Sequence, residues 1–115
     1  MITPRERGQV LFGETHRIMT GCGKAYVTIN HDDQGLAEVF MTLGKAGGCS
    51  AAQTEAVCRM VSLALRSGVD ATAIVKHLKD IRCPSQVLLE ERVLSCADGI
   101  AKVLAEAIKE ASQGG

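Results

Sequence analysis

Five thiols are the residues in this 115-residue chain most able to do chemistry: Cys22, Cys49, Cys58, Cys83 and Cys96. The thiolate is the form that binds a metal or attacks a disulfide. Helix starts stabilise it, because unpaired N–H groups and a partial positive charge gather there. Cys22 lies in a Gly-Cys-Gly turn (21–23). Cys49 follows Gly47-Gly48 and stands just before Ser50, which with Gln53 forms a capping box. Cys83 precedes Pro84, and Cys96 follows Ser95, which with Asp98 can cap a last helix. These four fall at element ends. Cys58 differs, because it sits beside Val57 inside an amphipathic stretch and is expected to pack as a small apolar residue.

Four thiolates at ~2.3 Å around a tetrahedral Zn²⁺ would crosslink a sheet and three helices. A small core gains from such a staple. The intervals between the four cysteines are 27, 34 and 13 residues, with no Cys-x-x-Cys pair. Spacing alone therefore leaves metal ligation, thiol redox chemistry and burial open. Gly44-Lys45 and Gly47-Gly48 do not follow the order of a phosphate loop and are expected to be an approach to a helix. His16, His31 and His77 are scattered, and solvent exposure is expected for them. Asp32-Asp33 reads as a turn. No catalytic triad or paired-carboxylate motif is visible.

The elements that must position the thiols follow from periodicity. Thr15–Thr20 is β-branched and short, a strand pattern. Ala25, Val27 and Ile29 alternate with Tyr26, Thr28 and Asn30, as do Ala37, Val39, Met41 and Leu43 with their neighbours. His31 to Gly35 supplies a turn between these two strands. Val57, Met60, Val61, Ala64 and Leu65 then form a helical stripe stopped by Gly68. Asp70 caps a second helix with Ile74, Val75, Leu78 and Ile81 on its apolar face, and Pro84 forbids its continuation. The last helix carries Ile100, Val103, Leu104, Ala107, Ile108 and Ala111. The expected fold is α+β: a small antiparallel three-stranded sheet followed by three helices packed on one face. Residues 1–13 read as an N-terminal arm, 14–111 as the domain and 112–115 as a fraying tail.

Composition narrows the function classes. Thirteen Lys+Arg balance thirteen Asp+Glu, so the formal net charge is zero. Bulk charge thus disfavours a nucleic-acid or anionic-membrane partner. No apolar run reaches the ~20 residues of a membrane span, and no signal-peptide pattern opens the chain, so a cytoplasmic protein is expected. In that reducing compartment the cysteines are not expected to form structural disulfides.

As a set, several segments resemble the TSCPD domain over about residues 9–110. They are Thr20-Gly21-Cys22-Gly23-Lys24, Leu43 to Cys49, Ala51 to Ala56, Leu63 to Asp70, Ile81-Arg82-Cys83-Pro84 and Leu94-Ser95-Cys96-Ala97-Asp98. The family's Thr-Ser-Cys-Pro-Asp is Leu-Ser-Cys-Ala-Asp here, and loss of proline in a first helical turn costs little. That domain forms the C-terminal part of many adenosylcobalamin-dependent (class II) ribonucleotide reductases and also occurs as a separate small protein. The resemblance implies zinc ligation by Cys22, Cys49, Cys83 and Cys96, with Cys58 outside the quartet. It implies an accessory role in deoxyribonucleotide synthesis beside a reductase catalytic chain. The chain is too short to hold the reductase barrel or to bind cobalamin itself, so no catalytic residue is assigned.

A more distant likeness is to the U-type iron–sulfur cluster scaffolds. Cys22, Cys49 and Cys96 match their three cysteines, and the element order agrees. Lys24 stands where those scaffolds carry Asp, and their Leu-Pro-Pro-Val-Lys segment is absent. Two alternative functions follow: a thiol redox module supplying electrons to the reductase, and an iron–sulfur cluster scaffold or carrier.

Overall fold

The computed structural model describes residues 2–20, 23–44, 48–82 and 94–114, excepting the side chains of 48–50 and 111–114. Three strands come first: β1 (Phe12–Thr20), β2 (Gly23–Asp32) and β3 (Gly35–Leu43). They form one antiparallel sheet in sequence order. Three helices follow: α1 (Gly48–Arg66), α2 (Ala71–Leu78) and α3 (Cys96–Gly114). This is the α+β architecture expected from the patterning.

The alternation of β2 and β3 sets which face is buried. Ala25, Val27, Ile29, Ala37 and Val39 are all buried, while Tyr26 and Phe40 on the opposite face are exposed. Cross-strand partners share a face, and the register Val27↔Met41, Ile29↔Val39 keeps the two apolar sets together. Ile100 and Leu104 of α3 are fully buried in the same cluster as Val27, Ile29, Val39, Val61 and Leu65. The strands run longer than the sequence suggested. β1 begins at Phe12, and only Asp33 and Gln34 remain as a tight turn between β2 and β3.

Helix α1 packs against β3, with Val61 and Leu65 of the expected stripe buried and Val57 and Ala64 packed against the core. Met60, expected in the core, is 64% exposed. Cys58 is buried as expected, and Ser62, outside the stripe, is buried too. The reason lies in the free edge of β3, whose outward N–H and C=O groups need partners. Ser62 Oγ accepts from Val39 N–H at 2.9 Å and donates to Val39 C=O at 3.2 Å. Arg66 donates to the Ala37 carbonyl at 3.3 Å. The Cys58 sulfur takes a hydrogen bond from Met41 N–H. Four helical residues rise ~6 Å and two strand residues ~6.8 Å, so the row 58, 62, 66 matches 41, 39, 37. Thr54, one turn earlier, is buried at the next step of the row.

The helix ends follow local chemistry. Gly68 adopts φ +87°, while Val69 N–H bonds Ala64 C=O and Gly68 N–H bonds Leu65 C=O. This is a Schellman stop. Asp70 caps α2 by accepting from Thr72 N–H at 2.9 Å. Helix α2 ends at Leu78, so Ile81 does not join its apolar face and is 43% exposed. The cause is Asp80, which takes the left-handed conformation at φ 65° and turns the chain away.

The N-terminal arm is held down by Arg5. Its guanidinium clasps both carboxylate oxygens of Asp32, at 2.8 and 3.0 Å, and donates to Leu36 C=O at 2.9 Å. Its backbone N–H bonds Arg66 C=O at 2.8 Å. A cation against the last carbonyls of α1 also suits the negative end of the helix dipole. Arg7 reaches the buried Glu38 at 3.2 Å, which Asn30 holds from the other side at 2.9 Å.

Candidate metal centre

Cys96 is the one quartet member whose side chain is described. It is the first residue of α3 and is half-buried. Ser95 before it is the cap, since its Oγ accepts from Asp98 N–H at 3.0 Å. The thiol therefore stands where the helix offers its unpaired amides and positive dipole, as the capping pattern implied.

Asp98 completes this helix start. It has no exposed surface, and its carboxylate accepts from Leu94 N–H at 2.9 Å, Asp80 N–H at 2.7 Å and Lys102 Nζ at 2.6 Å. Burial pushes its pKa up, but the bonds from Leu94, Lys102 and Asp80 outweigh that. The carboxyl lies below the ordinary carboxylate value. Sequence patterning found the cap at Ser95 but not the tie to Asp80, because a contact 18 residues away in the chain has no local signature.

The other three expected ligands are bounded by their neighbours. Cys22 lies outside the described residues, between Thr20 and Gly23, which are register partners at the ends of β1 and β2. Thr20 is buried, and its Oγ1 donates to Gly23 C=O at 3.0 Å. Gly44 N–H bonds Lys24 C=O at 3.0 Å, so β3 leaves the sheet at the end where Cys22 must attach. Cys49 is the second residue of α1, because that helix begins at Gly48, two residues before the expected cap at Ser50. Its side chain is not among those described. Cys83 also lies outside the described residues, three positions beyond Asp80.

Cys58 lies at the buried edge of this region. It is 4% exposed and belongs to the core cluster. Burial is the main reason its thiol is pushed up to about 11, and the nearby Cys96 adds to the rise. At neutral pH the residue is a protonated thiol, a poor ligand and a poor nucleophile. Its position agrees with the packing role read from the sequence, with the added task of accepting the Met41 amide.

Among the described residues, no group of three or more His, Cys, Asp or Glu stands ready to hold a metal. His16 lies 3.1 Å from Glu14, and His31 and His77 are exposed. The expected quartet would offer four soft sulfur donors, two of them, Cys49 and Cys96, in first helical turns, and this donor set suits zinc.

A family model, that of the TSCPD domain, matches residues 2–108. The chain belongs to the TSCPD domain family. The match begins before Arg5, so the docked arm lies within the TSCPD domain, and it takes in all five cysteines. No curated protein and no solved structure matches the chain. Among the described residues, no helix is long and apolar enough to cross a membrane.

Proposed function

We propose that this TSCPD chain is a cytoplasmic zinc-binding accessory module that works beside an adenosylcobalamin-dependent ribonucleotide reductase. Cys22, Cys49, Cys83 and Cys96 are the ligands, and the module serves deoxyribonucleotide synthesis without catalysing it alone. The observation that carries this reading is the family match over nearly the whole chain, which spans all four cysteines. Placement supports it: Cys96 opens α3, Cys49 lies in the first turn of α1, and Cys22 attaches at the neighbouring end of the sheet. Cys58 packs in the core cluster at 4% exposure, which supports its place outside the quartet. Bound zinc would supply a crosslink between elements that otherwise meet through a small core.

The partner part of this reading has its own test. The purified chain is mixed with a class II reductase catalytic chain lacking its own C-terminal module. Sedimentation velocity and nucleotide turnover are then measured. A complex, with faster turnover or a more durable catalytic chain, is expected. No complex and no change in turnover would contradict the accessory role.

A further inference from the structure

The two edges of the sheet are finished differently. Helix α1 seals β3 through the bonds of Ser62 to Val39 and of Arg66 to Ala37. Strand β1 has no such cover among the described residues, where its ladder partner is β2 alone. The ladder also tells which of its backbone groups face outward. Gly44 N–H bonds Lys24 C=O at 3.0 Å, so Lys24 points toward β3 and away from its β1 partner, Met19. Bonded and non-bonded pairs alternate along an antiparallel ladder. Met19, Arg17, Thr15 and Gly13 therefore turn their N–H and C=O groups away from β2. Val39 obeys the same phase: its partner Ile29 points toward β1, and Val39 N–H reaches outward to Ser62. Gly13, Thr15 and Arg17 are exposed, and the nine residues of β1 contain no proline and no register shift against β2. Nothing in that backbone obstructs a further strand.

We propose that β1 pairs with β1 of a second copy of this chain, antiparallel and centred on Thr15, so that two three-stranded sheets become one. Symmetry and charge select this register. A dyad normal to the sheet pairs residues that share a face, and outward amides must meet outward carbonyls. Of the centres that keep most of the strand paired, Glu14 and Arg17 each set a like charge opposite itself, which is unfavourable. Centring on His16 sets Glu14 against the partner's Ile18. Centring on Thr15 sets Glu14 opposite the partner's His16, and His16 opposite the partner's Glu14. It also covers Phe12, which is 68% exposed, with the partner's Ile18. Glu14 and His16 already meet within one chain at 3.1 Å. The dyad thus gathers two carboxylates and two imidazoles into one alternating cluster. Thr15 meets its own copy and Gly13 meets the partner's Arg17, which gives about six backbone hydrogen bonds. The occupant is a second copy because the strand carries its own complement. The inference is independent of the zinc reading.

The test uses the full chain in sedimentation velocity over a concentration series, with amide exchange measured at both ends of that series. Wild type is expected to dimerise. Its Gly13, Thr15 and Arg17 amides should exchange more slowly at high concentration, while those of Glu14 and His16, already bonded to β2, should not change. Thr15→Pro removes an outward amide and leaves the β1–β2 ladder its donors, so it is expected to fold and to lose the dimer. His16→Glu leaves the backbone intact but sets acid against acid on both sides of the dyad, and should weaken the dimer about tenfold or more. Adding Glu14→Lys to His16→Glu should restore it, because each lysine then faces the partner's new carboxylate. Circular dichroism checks that every variant is folded. A wild-type chain that stays monomeric throughout the series would overturn the inference. So would a dimer that folded Thr15→Pro and His16→Glu leave intact, or one whose outward amides exchange equally fast at both concentrations.

Discussion

Removing one hydroxyl from α1 should unseal the edge of the sheet. Ser62 is 7% exposed, and its Oγ both accepts from and donates to the backbone of Val39, which is fully buried. In Ser62→Ala the Val39 N–H and C=O lose their partner, and the surrounding packing keeps water from replacing it. A buried polar group left unsatisfied costs about 1–3 kcal/mol. The carbonyl tolerates this better than the amide, and the lost hydroxyl no longer has to be desolvated. The net expectation is about 2–3 kcal/mol. At roughly 4 °C per kcal/mol for a domain of this size, the melting temperature should drop by about 8–12 °C. Urea unfolding followed by circular dichroism gives the first number. Amide exchange at Val39 gives the local one, and its protection should fall more than that of Val27 on the central strand. Met60→Ala, at a residue 64% exposed on the same helix, should change stability by less than about 0.5 kcal/mol. If Ser62→Ala stays within that same margin and Val39 exchange is unchanged, the helix row does not seal the strand.

Three further outcomes follow from the same geometry. Cys58→Ala should cost about 1–2 kcal/mol in urea unfolding, through the lost Met41 hydrogen bond and a small cavity, yet leave metal content unchanged; a fall in bound metal would make Cys58 a ligand. Leu104→Ala, at a fully buried position, should cost about 2–5 kcal/mol and leave little folded metal-free protein, as circular dichroism will show. The Arg5 clasp holds the Asp32 carboxyl down at about 2. A depressed folded value means that this contribution is complete above the unfolded value of about 3.9 and fades as pH falls toward 2. Carbon-detected titration should find Asp32 near 2 in wild type and closer to the ordinary value in Arg5→Ala; an unchanged value would show that the clasp is absent in solution.

Patterning in the sequence was sufficient for the number and order of the strands and for α3, though not for the strand ends. Period two in β2 and β3, and the stripe Ile100, Val103, Leu104, reflect burial against a continuous apolar surface, and apolar spacing reports such burial directly. Helix α1 was misread at Met60 because it packs against a strand edge. An edge presents backbone donors and acceptors, so Cys58, Ser62 and Arg66 cover it, beside the apolar Val61 and Leu65 that face the core. Ile81 was misplaced for a related reason: Asp80 ends α2 through a bond to Asp98, and no nearest-neighbour rule contains that bond. For the candidate centre, local chemistry was legible at Cys96, whose cap is the Ser95–Asp98 pair seen in the sequence. The burial of Cys58 was also legible. The tie from Asp98 to Asp80 was not, because it depends on how α2 and α3 meet.

Elemental analysis of the full chain, purified without chelator and paired with a thiol titration of the native protein, bears most directly on the zinc reading. The account predicts a colourless protein with close to one zinc per chain and with Cys22, Cys49, Cys83 and Cys96 protected from thiol reagents until the metal is removed. A metal-free native chain whose four thiols titrate freely would contradict it, and so would a brown protein carrying iron and sulfide.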